Sequence, residues 1–286
     1  MSYYPQQQPP RRRRSGMSGM KVRLLIAGAI ILFSVISFYS NTDVNAVTGE
    51  KQRVGGLTEK EEIVLGLNAR PQMIQQHRGI SDDPQGRKSV ENMGARLVNA
   101  LYHRLKQEGI DIPYPFEFHL LNDSQVVNAF ALPGGQVFIT EALYYQLENE
   151  GQLAGVLGHE IGHVIERHGA QRMAKGRLTQ GLVGAAGVAG GNAESARAAA
   201  MIGNLINMRY GRDDELESDR WGVELMVLSG YDPRHLLGVM DILERATGGG
   251  GQPEFMSTHP KPANRKEYIQ RILDEKFPGG LPPGLR

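Results

Sequence analysis

The sequence predicts an α+β fold, mainly helical, with one small sheet, carried behind a membrane segment. Three observations lead there. Several stretches repeat apolar residues at the helical period and start at recognisable caps. A short alternating run precedes two apolar stretches joined by Pro133-Gly134-Gly135, which reads as a hairpin. One helical stretch carries the pattern His159-Glu160-Ile161-Gly162-His163.

Composition narrows the function classes. The 286 residues include no cysteine, so disulfides, thiol nucleophiles, thiolate-bound metals and a lipid-modified N-terminal cysteine are excluded. The formal net charge is +1, but it is unevenly placed. Arg11, Arg12, Arg13, Arg14, Lys21 and Arg23 precede any acid, and removing those six charges leaves −5 for the remainder. A mildly acidic body offers no clustered positive surface, and no nucleic-acid partner is expected.

The elements follow in order. Residues 1–21, rich in Pro, Gln, Arg and Gly, are expected to be disordered. The uncharged run Leu24–Tyr39, extended to 22–40, is long enough for a single transmembrane helix. Its basic flank puts the N-terminus in the cytoplasm and the body outside. The favoured reading is an uncleaved inner-membrane anchor. The alternative is a signal peptide cut at about Ala46, after Val44-Asn45-Ala46, which releases the body to the periplasm. Residues 41–56 read as a linker, and residues 57–278 as one catalytic domain.

Within that domain, Thr58 and Glu61 form a candidate capping box for a helix reaching Arg78, with Pro71 as a kink or break. Val90, Met93, Leu97, Leu101 and Leu105 stripe a second helix over 85–108. Residues 116–121 alternate as a strand, and 128–132 and 136–140 form the hairpin. Helices are expected over 141–148 and 151–168. Residues 178–203 are dominated by Gly and Ala and carry little charge, which suits close-packed small-residue helices or a flap near the site. Further helices read over 213–228, 232–247 and 262–276, with a flexible break at 248–251 and a loose tail over 279–286.

The pattern H-E-x-x-H carries the chemistry. Positions i and i+4 share one helix face, so His159 and His163 can present imidazoles to one metal, with Glu160 placed to act as general base on a bound water. Zinc, one Zn2+ per chain, is the metal that suits two imidazoles, a carboxylate and an open fourth position. The candidate third ligand is Glu215 in Asp213-Asp214-Glu215-Leu216-Glu217-Ser218-Asp219. Asp219, one turn on, can accept the outer N–H of a histidine ligand. Taken alone, these acids also suit an exposed helix start at the positive dipole end.

At these residues the chain resembles the membrane-associated gluzincin peptidases of the HtpX, CAAX prenyl protease and BepA-like family. The match runs through Asn128–Thr140, His159–His168, Arg212–Asp219, and Ser257-Thr258-His259-Pro260 with Arg265. It is nearest the single-domain exported branch. The resemblance implies that His159, His163 and Glu215 bind zinc and Glu160 is the catalytic base. Ser218 stands where the family usually has alanine. His259, from its own context a loop histidine before proline, would gate the zinc or help bind the oxyanion. His168 would support a ligand rather than be one. The strand with Gly135, Val137, Phe138 and Ile139 would be an edge to which an extended peptide adds. The implied activity is zinc-dependent endopeptidase action on unfolded or misassembled envelope proteins. The alternative is an envelope chaperone with minor proteolysis.

Overall fold

In the computed structural model, residues 19–111, 114–190, 211–247, 259 and 264–286 are described. The basic tail up to residue 18, the second part of the Gly/Ala-rich stretch from 191, and the break at 248–251 lie outside the described residues.

The first element, α1, runs Gly19–Ser40 with mean hydropathy 2.2 in its most apolar window. It is the one described helix long and apolar enough to cross a membrane. The stretch expected to be a linker instead forms a short antiparallel ladder, β1 (Asp43–Val44) with β2 (Lys51–Gln52). Two of its polar residues, Asn45 and Gln52, are used inward. Asn45, Gln52 and Val54 are buried, and Asn45 Nδ2 donates to the Ile165 carbonyl at 2.7 Å.

Helix α2 (Glu59–Gln76) opens on the Thr58–Glu61 capping box and continues through Pro71. Helix α3 (Pro84–Gln107) is capped by Asp83 with proline at its first position, and it buries the Val90, Met93, Leu97, Leu101 and Leu105 stripe. Then come β3 (Glu117–Leu121), β4 (Ala129–Leu132) and β5 (Gln136–Thr140). Gly134 and Gly135 turn the β4–β5 hairpin at φ of 81° and 101°, a region costly for other residues. The sheet order is β3-β5-β4, with β5 parallel to β3 and antiparallel to β4.

Helix α4 is short (Glu141–Tyr144). Helix α5 (Glu150–Ile165), capped by Asn149, is the centre of the molecule: every residue from Gly151 to Ile165 is buried. It ends three residues earlier than expected. Arg167 adopts φ 55° and turns the chain into α6 (His168–Gly190), so His168 opens a new helix. Helices α7 (Arg212–Leu228), α8 (His235–Thr247) and α9 (Arg265–Lys276) complete the fold. One hydrophobic core spans α3, the sheet, α5, α7, α8 and α9, and α1 packs on α6.

The tail expected to be loose is tied down. Asp232 N donates to the Arg286 carbonyl and Arg286 N to the Gly230 carbonyl, at 2.8 and 3.0 Å. Leu281 packs on the core.

Candidate metal centre

The centre is built where α5 and α7 nearly touch. A Cβ at Gly158 would lie 3.2 Å from Gly222 Cα, and one at Gly162 would lie 2.8 Å from Trp221 Cβ and 3.0 Å from Ser218 Cα. Only small residues let the two backbones approach this closely. Ser218 is itself wholly buried in that contact, so a bulkier side chain in its place would part the helices. The approach brings Glu215, in the first turn of α7, under the two histidines of α5.

His159, His163, Glu215 and His259 are all buried, and their ligating atoms lie within 4.8 Å of one another. The two Nε2 atoms of His159 and His163 are 3.1 Å apart, and each is 3.5 Å from a Glu215 oxygen. His259 Nδ1 is 3.0 Å from Glu215 Oε1. Ligands on a tetrahedral zinc with bonds near 2.0–2.1 Å stand about 3.3 Å apart, so these separations fit one such ion.

Outer partners set which ring nitrogens face inward. His159 Nδ1 lies 3.0 Å from Asp219 Oδ1, and a carboxylate only accepts, so Nδ1 carries hydrogen and the Nε2 lone pair points to the centre. A longer chain serves His163. His168 Nε2 donates to Glu217 Oε2 at 2.9 Å. That leaves His168 Nδ1 to accept from His163 Nδ1, also at 2.9 Å, and frees His163 Nε2 to ligate. Glu217 therefore acts through His168 while Glu215 faces the centre.

Electrostatics agree that the site calls for positive charge. Burial depresses His159, but Asp219 and Glu215 outweigh it and raise its pKa to about 9. Burial and the neighbouring His159 hold His163 well below the usual histidine range. Burial pushes Glu215 upward, yet His259 and His159 carry its carboxyl well below the carboxylate norm. Glu160 is wholly buried, and both its oxygens lack a hydrogen-bond partner among the described residues. Burial raises its pKa, with His259 and His159 opposing. A buried carboxylate left this way has a free face for a water or a substrate proton.

Arg265 is the residue whose role the sequence did not disclose. Its buried guanidinium donates to Asp219 Oδ2 at 2.8 Å, to Asp219 Oδ1 at 2.5 Å and to Glu215 Oε2 at 3.3 Å. The signal available was its position at the first turn of α9, where the helix dipole disfavours a cation unless a carboxylate holds it.

Four expected substrate-binding residues are placed differently. Val137, Phe138 and Ile139 lie on β5, the middle strand, and are wholly buried. Gly135 N donates to Leu132 O, and its own carbonyl accepts from Glu117 N. Their backbone is engaged by β3 and β4, so none can receive an added strand. The edge on the α5 side is β4, whose Ala131 and Leu132 line a narrow cavity with His163.

The profile of peptidase family M48 matches residues 87–273, which spans α3 to α9 and every candidate ligand above. The chain belongs to peptidase family M48. It is 35% identical over 180 residues to the beta-barrel assembly-enhancing protease of Escherichia coli K12, covering 59% of this chain and 37% of that one. It is 28% identical over 270 residues to the mitochondrial metalloendopeptidase OMA1 of Saccharomyces cerevisiae, covering 90% of this chain and 75% of that one. It therefore spans little more than a third of the length of the bacterial relative. The α+β fold with a helix-borne metal centre is that of an M48 peptidase domain.

Proposed function

We propose that this chain is a zinc-dependent endopeptidase, held at a membrane by α1, that cleaves unfolded or misassembled membrane and envelope proteins. The observation that carries the reading is the convergence of His159, His163 and Glu215 beside the Glu160 carboxylate, which has no hydrogen-bond partner among the described residues and stands 3.7 Å from His259 Nε2. His159, His163 and Glu215 hold the ion, with His259 in the fourth position. A bound zinc ion supplies an acidified water and polarises the scissile carbonyl.

The remaining work falls to side chains. Glu160 takes the proton of the attacking water and returns it to the leaving amine, with no acyl-enzyme. Asp219, steadied by Arg265, keeps His159 in its ligating tautomer; the His168–Glu217 pair does so for His163. His259 closes the centre in this state and withdraws to admit a substrate carbonyl, near which its ring can donate to the developing oxyanion. An extended client adds to the free edge of β4, so recognition rests on main-chain bonds rather than on one sequence. Folded proteins cannot offer such a strand, which makes unfolded clients the substrate class. The names of the relatives, a beta-barrel assembly-enhancing protease and a mitochondrial metalloendopeptidase, support an envelope setting.

Retention of α1 as an anchor is supported by contacts around the possible cleavage point; the basic flank of α1 favours the domain on the far side. Asp43 pairs with Arg167 at 2.6 Å, and Asn45 holds the end of α5. Cleavage at Ala46 would discard both.

Glu160→Gln tests the mechanism. The variant should bind one zinc per chain and cleave an unfolded reporter at least a thousandfold more slowly. Wild-type cleavage would remove Glu160 as the base. An absence of zinc from the wild-type chain, with His159 and His163 intact, would remove the metallopeptidase reading itself.

A further inference from the structure

Helix α6 has two unlike halves. From His168 to Arg177 it carries Arg172, Lys175 and Arg177; from Leu178 to Gly190 it carries no charge and four glycines. In water the second half is a weak helix, since each interior glycine is about 1 kcal/mol less favourable than alanine. It does not lie on the catalytic core. It runs antiparallel along α1.

The register of that contact is visible. Gly181 faces Ser34 so closely that a Cβ at 181 would collide with the Ser34 hydroxyl. Toward the catalytic domain, Ala174 and Leu178 share a cavity with Ser37 and Phe38. In the other direction lie Ala27, the one buried residue of α1, and Ala185, the one buried residue in this half of α6. Small residues thus line both sides of the contact, while Leu25, Ile31, Leu32, Phe33 and Ile36 of α1 and Leu182 of α6 are exposed.

We infer that residues 178–190 are immersed in the same bilayer as α1. This rests on α1 being a membrane anchor. The uncharged half of α6 is about 20 Å long, against a hydrocarbon core of about 30 Å, so it enters the bilayer without crossing it. Lipid resolves the glycine problem, because there the backbone has no water to bond and must satisfy itself as a helix. Close approach of Gly, Ala and Ser is also how membrane helices associate when lipid is as apolar as they are. The charges mark the entry level. Lys175 and Arg177 precede the uncharged half, Arg177 donates to the Gly55 carbonyl at 3.3 Å, and the Arg53 guanidinium stands 5.0 Å from the Tyr39 ring.

The consequence concerns substrates. His168, hydrogen-bonded to His163, opens α6, and Arg177 is about 13 Å further along the same helix. The metal centre is thereby held close above the lipid surface. The clients it reaches first are extended segments next to the membrane.

The absence of native cysteine makes the test clean. Single variants Leu182→Cys, Ala186→Cys, Ile31→Cys and Lys175→Cys are made in the full chain and labelled in native membranes with a water-soluble or a lipid-soluble maleimide. Leu182→Cys and Ala186→Cys should resist the water-soluble reagent at least tenfold more than Lys175→Cys, react with the lipid-soluble one, and become reactive to both in detergent. If they label like Lys175→Cys while Ile31→Cys stays protected, the immersion of α6 is overturned and the anchor stands. If Ile31→Cys also labels freely, the anchor reading falls and this inference with it. Protection from both reagents would mean a covering of protein, which equally overturns it.

Discussion

At the residue scale, the candidate ligands are more legible in the sequence than what surrounds them. His159, Glu160 and His163 are legible because three residue types at fixed spacing put two imidazoles on one helix face. Glu215 needed the upstream motif before it stood out from an ordinary acidic helix start. Arg265 needed the structure, since nothing in the local sequence says that a helix-opening arginine lies within reach of Asp219 and Glu215 from 46 and 50 residues away. Its role makes a sharp prediction. Arg265→Gln leaves two buried carboxylates without their cation, a change worth about 3–5 kcal/mol when one partner of a buried pair is removed. It should also loosen His159 through Asp219 and weaken zinc binding about 10–100-fold. Thermal unfolding and competition with a chromogenic chelator measure the two effects. A variant with wild-type zinc affinity would show that Arg265 does not position the ligand set.

At the element scale, most helices were legible because their caps and stripes are local, whereas sheet order is not. Alternation at 116–121 and the Gly turn between 128–132 and 136–140 mark the three strands to within a residue, but they cannot say which strand is central. The parallel pairing of β3 with β5 places β5 in the middle and moves the free edge to β4. The same limit hid the α5–α7 contact, whose closeness depends on glycines that a helical pattern merely tolerates. Gly162→Val tests that contact. The added atoms would meet Trp221 and the Ser218 backbone, overpacking that costs about 1–3 kcal/mol, and Glu215 would move off the histidines. Stability should fall by that amount and zinc occupancy should fall with it. Gly184→Ala, where an added Cβ meets nothing within 4 Å, should lower neither. Full zinc occupancy in Gly162→Val would mean that the close approach is not what sets the third ligand.

At the scale of the whole molecule, the membrane end and the metal end meet at one corner. The stretch after α1 looked like a linker because Asp43, Asn45 and Gln52 are polar; Asn45 and Gln52 are buried while Asp43 stays exposed, and all three bond to partners 114 to 124 residues away. Asn45 caps the Ile165 carbonyl, Gln52 Nε2 donates to Glu166 Oε2 at 3.3 Å, and Trp221 Nε1 donates to Glu166 Oε1 at 2.6 Å. Arg167 joins Asp43, Glu62 and the Leu57 carbonyl while holding a left-handed turn. His163 lies two residues before the Ile165 carbonyl, and His168 directly follows Arg167. The corner that receives α1 is therefore also the corner that orients His163, the second candidate ligand. Asn45→Ala leaves the Ile165 carbonyl unsatisfied and should lower stability by about 1–3 kcal/mol. Arg167→Ala should lower it by about 3–5 kcal/mol. Because both act on one corner, the double variant should depart from additivity by at least about 0.5 kcal/mol, measured by thermal unfolding in detergent micelles. Reporter cleavage should fall in each single variant, with zinc retained in Asn45→Ala. Strict additivity together with unchanged cleavage would mean that the membrane-proximal hairpin rests on the catalytic domain without bracing it.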